Sequence, residues 1–233
     1  MESFLRRLKY YGIGFLIGLI FVLIFFQNRG CSWLPSNRVK NAFLDRIIVV
    51  SDAEMSHLKK SGIDVDDLIG VLNDGEVNFS ESITEGDFKV YSVSKEVDGL
   101  GEKNFFFTLP AESFITEVHY SENSASEVEN TTKGYGSIIH FPKDDNLVYI
   151  DSTESLKCAM GKLGLKNSNH VYQFLKKNGR VDFSNTDFNI KPKAKQCLVF
   201  KNEKGIEIGI NAIWYKNKID ITSIFSDSLE SCP

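Results

Sequence analysis

Residues 75–80 read Gly-Glu-Val-Asn-Phe-Ser, and residues 179–184 read Gly-Arg-Val-Asp-Phe-Ser. A match of this length also arises by chance, so the sequence on either side has to decide whether the chain contains a repeat. In both stretches the glycine is expected to turn the chain out of a helix. The valine and the phenylalanine are expected to point into the core from one side of a strand. These residues are Val77 and Phe79 in the first copy and Val181 and Phe183 in the second.

A helix-start signature precedes each copy of the motif. Ser51 is followed three residues later by Glu54, and Asp151 by Glu154, which is the spacing of a capping box. A short apolar, partly β-branched run stands directly before each signature. The sequence therefore predicts a strand followed by a helix at two equivalent places in the chain.

A second helix is predicted between each cap and its motif. Gly62 and Gly164 are expected to end the first helices, because glycine readily adopts the left-handed conformation found at helix ends. An apolar stripe at helical spacing follows each glycine. The stripes consist of Val65, Leu68, Ile69 and Leu72 in the first copy and Val171, Phe174 and Leu175 in the second.

Strand-like runs separated by turn-forming residues complete each copy. Two helices followed by four closely connected strands predict an antiparallel sheet with its helices on one face. The expected fold class is therefore α+β, with two tandem helix-helix-antiparallel-sheet units of roughly 80 to 100 residues, each large enough to fold alone. The predicted runs are residues 88–93, 104–109 and 114–120 in the first copy and residues 196–200, 206–215 and 218–225 in the second.

The N-terminal part of the chain predicts a transmembrane helix before these units. Residues 10–28 carry no charge, and at about 1.5 Å per residue they reach roughly 29 Å, close to the thickness of a bilayer's hydrocarbon core. Because Arg6, Arg7 and Lys9 lie close together before this stretch, the N-terminus is expected to be cytoplasmic and the bulk of the chain extracytoplasmic. A cleaved signal peptide, a lipoprotein modified at Cys31 and a buried helix of a soluble core are the alternatives.

The predicted domain boundaries follow from these elements. A polar stretch rich in Ser, Glu, Asn and Thr separates the two copies and is expected to contribute nothing to a core. The expected segments are a cytoplasmic tail, anchor and stalk at 1–36, a first α+β unit at 37–120, a linker at 121–133, a second α+β unit at 134–225 and a tail at 226–233.

The chain has four cysteines, Cys31, Cys158, Cys197 and Cys232. Their spacing resembles no zinc motif, and four cysteines allow three pairings, which the sequence leaves open. Cys158 is expected on the wet side of its helix, opposite the apolar stripe. No histidine stands near any cysteine in a readable motif, so no cysteine nucleophile is predicted.

The order of these features resembles that of one bacterial family. After the apolar stretch come residues 31–39, Cys-Ser-Trp-Leu-Pro-Ser-Asn-Arg-Val, then the helices, the Gly-x-Val-x-Phe-Ser motif and the strands. This order resembles an uncharacterised family of small membrane-anchored proteins with a domain of unknown function that is distantly similar to the RelE/ParE toxin fold. The likeness covers residues 1–120 and returns near residues 140–225, whereas that family usually has one such domain. It implies an α+β unit and brings no functional residue to this chain.

A ribonuclease, which the RelE-like fold suggests, is disfavoured by charge. Without residues 1–26, which hold three basic residues and one acidic residue, the chain has 24 basic and 30 acidic residues. Such a surface repels a phosphate backbone, so no nucleic-acid partner is expected. The histidines also look scattered, and a nuclease of this fold needs clustered basic groups. They are His57, His119, His140 and His170.

A calcium loop is disfavoured by spacing. Asp64, Asp66 and Asp67 resemble the start of such a loop, but its sixth position is Ile69 and its twelfth is Gly75. The three aspartates are interpreted as the N-cap and acidic first turn of the second helix. No phosphate loop, dinucleotide fingerprint or hydrolase motif occurs, so no catalytic, cofactor-binding or metal-ligating residue and no cofactor is predicted.

Without a catalytic motif, the sequence predicts a protein that works by binding and is not an enzyme. It is expected to be a single-pass bacterial cell-envelope protein that displays a tandem repeat of a domain of unknown function, because duplicated modules gain avidity or join two partners. Its expected partners are the membrane and an envelope protein. One alternative is an envelope enzyme with an unrecognised active site, which converging buried carboxylates or histidines would favour. Another is an inhibitor or immunity-type partner of a toxin-like domain.

Overall fold

A computed structural model describes residues 2–27, 34–121, 124–128, 133–144, 146–188, 190, 192–229 and 232. The chain divides into two compact units, Met1–Asn41 and Ala42–Pro233. The helices are α1 Glu2–Gln27, α2 Pro35–Leu44, α3 Asp52–Lys60, α4 Val65–Asp74, α5 Glu154–Leu163 and α6 Ser168–Asn178. The strands are β1 Ile47–Ser51, β2 Glu76–Ile83, β3 Phe88–Val97, β4 Gly101–Pro110, β5 Ile115–Tyr120, β6 Tyr135–His140, β7 Val148–Ile150, β8 Arg180–Asp182, β9 Gln196–Lys201, β10 Glu207–Tyr215 and β11 Lys218–Phe225.

The N-terminal helix α1 corrects the predicted membrane anchor. Within the described part of the chain, no helix combines the length and the apolar character that crossing a membrane requires. On this finding the transmembrane helix, the single-pass cell-membrane localisation with an extracytoplasmic bulk, and the membrane as partner are wrong. Residues 28–33, which include Cys31 and the start of the predicted stalk, lie outside the described residues.

An eleven-stranded mixed sheet forms the framework of the second unit. Strands from the first copy and strands from the second copy lie side by side, and β6 joins them by pairing antiparallel with both β1 and β8. The prediction of two separate sheets is therefore wrong. The strand order is β2-β3-β4-β5-β1-β6-β8-β9-β10-β11-β7.

The two halves of this sheet have the same internal topology. In each half the first strand lies parallel to the last, with Ile47 of β1 opposite Ile115 of β5 and Val148 of β7 opposite Ile219 of β11. The four strands that follow the helices pair antiparallel in both halves. Each half thus follows one path of strand, helix, helix and four strands, and contains a parallel pair that a purely antiparallel prediction did not include.

The helix ends agree with the predictions except at one cap. Ser51 caps α3, its hydroxyl accepting a hydrogen bond from the backbone N three residues on at 3.1 Å. Gly62 and Gly164 both have positive φ, at 75° and 72°. Asp151 does not cap α5, because its carboxylate accepts from the next backbone N instead. Thr153 takes that place, and its hydroxyl accepts from the backbone N of the third residue after it.

The repeated motif is buried only in its second copy. Val181 and Phe183 are buried, and Phe183 lies in a short 3-10 turn directly after β8. In the first copy Val77 is half-buried and Phe79 is 40% exposed. The difference follows from strand order, because β2 is an edge strand whereas β8 lies inside the sheet.

One hydrophobic core is shared by the two halves. All five residues of β1 are buried. Ile47 and Val49 of that strand, with Phe114 and Ile115, belong to the core cluster that also holds buried apolar residues from α5, α6 and β8 to β11. First-half residues therefore cover part of the second-half core.

A buried polar contact also joins the halves. The side-chain Oε1 of Gln196, at the start of β9, accepts hydrogen bonds from the Ser113 hydroxyl at 3.0 Å and from the Phe114 backbone N at 3.1 Å. Ser113, Phe114 and Gln196 are all fully buried. Polar groups at such a depth are satisfied by partners in fixed positions, so this contact defines how the loop before β5 meets β9.

The polar stretch between the copies contributes to packing, contrary to expectation. Ala125 is buried in a cluster with Val90 and Phe106 of the first half, and Val128 packs against the same cluster. Two small apolar side chains in a polar stretch give a weak compositional signal. Here they are enough to hold residues 125–128 against the sheet.

The disulfide pairing is resolved for two cysteines. Cys158 of α5 is bonded to Cys232, which lies 74 residues later in the sequence. Cys158 is half-buried at that bond. Cys197 is a free, buried thiol in β9. Leu229 and Cys232 pack against the shared core, so these two residues of the predicted tail are attached to it.

Candidate functional site

A pocket of about 310 Å³ lies where segments of both halves meet, and we call it the junction pocket. Three separate parts of the second unit build it: the connection from α2 to β1, the loop from β6 to β7, and the hairpin of β10 and β11. Apolar side chains, one indole, two carboxylates and one guanidinium share its wall. The lining residues are Ala42, Asp45, Arg46, Pro142, Asp144, Leu147, Trp214 and Asn217.

Arg46 stands directly before β1 and is fixed by the fold. Its Nη1 donates a hydrogen bond to the backbone carbonyl of Pro110 at 2.9 Å. Burial lowers the pKa of Arg46 below its ordinary value, because desolvation disfavours the charged form, while the carboxylates of Asp45 and Glu112 oppose this shift. The guanidinium remains protonated at neutral pH, since arginine titrates far above it.

The β10–β11 hairpin places the indole of the pocket. Tyr215 pairs with Lys218, so Lys216 and Asn217 form a two-residue turn, and both have positive φ, at 48° and 58°. Two successive residues in this conformation match the twist of the flanking strands. Trp214 precedes the turn and packs against the shared core. The hairpin thus presents Trp214 and Asn217 to the pocket on a rigid support.

The β6–β7 loop supplies another part of the wall. The Pro142 carbonyl accepts a hydrogen bond at 3.0 Å from the buried Tyr172 hydroxyl. Asp144 is exposed, and one of its carboxylate oxygens accepts from the backbone N of Asn146 at 2.9 Å. These contacts hold the loop in place while leaving acceptor capacity on the Asp144 carboxylate, which has about four lone-pair sites.

Sequence reasoning did not predict the junction pocket. Asp144 had no readable partner in the sequence, and Arg46 and Trp214 lie 168 positions apart with no motif around either. Their proximity comes from the fusion of both halves into one sheet. No local signal in the chain announces that arrangement.

A second group of polar side chains converges where β1 and β5 end and α3 begins. Glu54 accepts a hydrogen bond from the backbone N of Tyr120 at 2.9 Å. Its two carboxylate oxygens lie 3.5 Å from His57 Nδ1 and 4.0 Å from His119 Nδ1. His119 Nε2 lies 3.5 Å from the buried carboxylate of Glu117. His57 and His119 look scattered in the sequence, but the fold places both of them beside Glu54.

The geometry of this cluster favours a structural role. His119 Nε2 is buried and has no hydrogen-bond partner among the described residues. A catalytic acid or base has to come within hydrogen-bond reach of its substrate, directly or through one water. A nitrogen covered by protein does not meet that condition, whereas the bond from Tyr120 N to Glu54 does fasten α3 to β5.

The two remaining histidines and two aspartates at the start of α4 make structural contacts. His140 Nε2 lies 3.0 Å from the Leu44 carbonyl, and His170 Nδ1 accepts from the backbone N of Lys166 at 3.2 Å. Asp64 and Asp67 exchange capping-box hydrogen bonds of 2.9 Å at the start of α4, which confirms their interpretation as a helix cap.

The part of the chain that the structure describes has no arrangement of side chains suited to binding a metal ion. No group of three or more His, Cys, Asp or Glu side chains there is placed to hold an ion. Asp182 instead caps the 3-10 turn that follows it, accepting from the backbone N of Ser184 at 3.0 Å and of Asn185 at 3.2 Å. Asp145 lies outside the described residues.

Comparison with known proteins finds no match for this chain among protein-family models, curated proteins or solved structures. The resemblance to a membrane-anchored family with a RelE/ParE-like domain therefore stays a prediction. The fold and the site together define a class of protein. It is a mixed α+β protein with a large sheet and a small, partly charged pocket between its two similar halves.

Proposed function

We propose that the chain is a binding protein that holds a partner protein at the junction pocket. The observation that carries this proposal is the construction of the pocket itself. Three segments from both halves converge on it, and the Arg46 guanidinium and the Pro142 carbonyl are both fixed by hydrogen bonds. A preformed pocket loses little free energy to ordering when a partner binds, so even a small contact contributes to affinity.

The mixture of groups in the wall also supports binding. Leu147, Pro142 and Trp214 offer apolar surface, and Arg46 and Asp144 offer charge. Ligand sites usually combine a mostly apolar wall with a few placed polar groups that fix orientation. At about 310 Å³ the pocket suits an anchor the size of one side chain from a partner.

The proposal is tested by pocket-dependent capture. The full chain, Asp144→Lys and Tyr215→Ala are immobilised and exposed to an extract of the cells that produce the protein. Asp144 lines the pocket, whereas Tyr215 is an exposed residue of the same hairpin outside its wall. We expect one protein to be retained by the wild type and by Tyr215→Ala, and to be lost with Asp144→Lys.

The captured protein is then identified, purified and titrated against the same three chains. Affinity for Asp144→Lys should be at least about tenfold lower, which corresponds to about 1.4 kcal/mol. Thermal unfolding checks that the variant is folded. Equal binding by all three chains, or specific turnover of the captured protein by the wild type, contradicts the proposal.

A further inference from the structure

The charges of the junction pocket do not balance. Asp45, Arg46 and Asp144 are its charged lining residues, so two carboxylates face one guanidinium. The guanidinium is already engaged, since Arg46 Nη1 donates to the Pro110 carbonyl and its charge interacts with Asp45 and with Glu112 outside the pocket. The charge left for a ligand is therefore negative, and it lies on the exposed carboxylates at the mouth.

Two lysines near the hairpin have contacts of their own. Lys193 and Lys216 lie over the ring of Tyr215, at 5.9 and 5.1 Å from its centre. Successive residues of a strand point to opposite faces, so the side chain of Tyr215 lies on the other side of β10 from that of Trp214. Lys193 is also paired with Glu112.

The indole of Trp214 also favours a positively charged ligand. Among aromatic side chains the indole attracts a cation most strongly, because of the negative face of its π-system. Carboxylates beside an indole in a small, half-apolar pocket match a side chain with an alkyl stem and a positive end. The net charge of −4 on the whole chain acts in the same direction, by attracting a basic partner over a longer range.

We propose that the junction pocket binds the basic side chain, arginine or lysine, of a partner protein. This inference rests on the proposed function and names the chemistry that the pocket recognises. The cationic end lies between the Asp45 and Asp144 carboxylates, and the alkyl stem lies along Trp214 and Leu147. Arg46 holds the Pro110 carbonyl and keeps the wall of the pocket in place.

Trp214 itself provides the readout. The chain has two tryptophans, so Trp33→Phe leaves Trp214 as the reporter in the otherwise full chain. Its fluorescence is titrated with N-acetyl-arginine amide and with N-acetyl-citrulline amide, which has nearly the same shape and no charge. We expect a saturable change with the arginine probe and an affinity at least about fivefold lower with the citrulline probe.

Matched variants assign the effect to the pocket. Asp45→Asn and Asp144→Asn each weaken the arginine probe by about threefold, and together by about tenfold, while Asp227→Asn on the exposed surface leaves its affinity unchanged. Asparagine at 144 still offers the side-chain oxygen that accepts from Asn146 N, so the loop is preserved. Added salt weakens the arginine probe as well.

Three results overturn the inference. Equal affinity for the two probes shows that charge is not recognised. Saturation by N-acetyl-glutamate amide instead assigns recognition to the Arg46 guanidinium. No response to any probe from the folded chain excludes a basic side chain as the ligand. The proposed function is judged separately by capture with Asp144→Lys, so either conclusion can fail while the other stands.

Discussion

Cys197 shows how strongly the environment of one residue changes its chemistry. The thiol lies fully buried in β9, and burial raises its pKa from 9.0 to about 11, with the carboxylate of Asp182 adding to the shift and Lys195 opposing it. A thiol in this state is protonated at neutral pH and unreactive, because the thiolate is the nucleophile.

The raised pKa predicts a loss of stability in alkali. Between pH 9 and about 11 the unfolded chain releases the Cys197 proton while the folded chain keeps it, so the free energy of unfolding falls as the pH rises. Urea unfolding at several pH values in this interval should show a steeper fall for the wild type than for Cys197→Ala, by up to about 1.4 kcal/mol per pH unit. Parallel slopes in the two chains would contradict the prediction.

At the scale of elements, the contact between the loop before β5 and strand β9 depends on Gln196. Replacing it with leucine keeps the volume and removes the acceptor of two buried hydrogen bonds. The Ser113 hydroxyl keeps a contact to the Ile115 carbonyl, whereas the side-chain acceptor of the Phe114 backbone N is lost. Gln196→Leu should therefore lower the free energy of unfolding by about 1 to 3 kcal/mol in urea denaturation.

A second glutamine serves as the control for this prediction. Gln173 lies exposed on α6, and its side chain has a long contact of 3.5 Å to Asn169. Gln173→Leu removes the same chemical group and should change the free energy of unfolding by less than about 0.5 kcal/mol. A similar effect of the two substitutions would show that the buried contact adds nothing to the joining of the halves.

Local sequence patterns account for the strands that the sequence predicts correctly. β11 coincides with the predicted run 218–225, and β9 and β10 differ from their predictions by one residue at one end, since alternating apolar residues and turn signals are local features. β6 was missed, because its pairing with β1 and β8 depends on distant partners. Gly136 of β6 shows the constraint, since a Cβ there would lie 2.5 Å from side-chain atoms of Val49 and Phe183.

The candidate site could not be predicted from local sequence patterns either, because it also depends on residues that are distant in the sequence. Asp45, Asp144 and Trp214 belong to three separate segments that meet only after both halves join one sheet. The repeat itself was readable, because each copy carries its own caps and stripes. How the copies associate depends on which faces remain apolar after each has folded, and residue spacing does not encode that.

At the scale of the whole molecule, the disulfide stabilises the fold by restraining the unfolded chain. It links α5 to a cysteine 74 residues away and so closes a long loop. Reduction should lower the free energy of unfolding by about 2 to 4 kcal/mol, measured by urea denaturation with and without a reducing agent.

Cys232→Ser gives the matching genetic test. This variant should be as unstable as the reduced wild type, and a reducing agent should not destabilise it further. Cys197 is free and buried, so replacing it with alanine should not change the effect of the reducing agent on the free energy of unfolding. Equal stability of the oxidised and reduced wild type would show that residues near Cys232 are held by packing alone.

The shared core also sets an order of events on the ribosome. Ile47 and Val49 are made early, but much of the core cluster that covers them consists of α5, α6 and β8 to β11, which are made more than 100 residues later. At typical rates of synthesis this interval lasts on the order of ten seconds. During that time the nascent first half has an apolar strand face without its cover, so chaperone protection during translation matters more for this chain than for one whose repeats are independent.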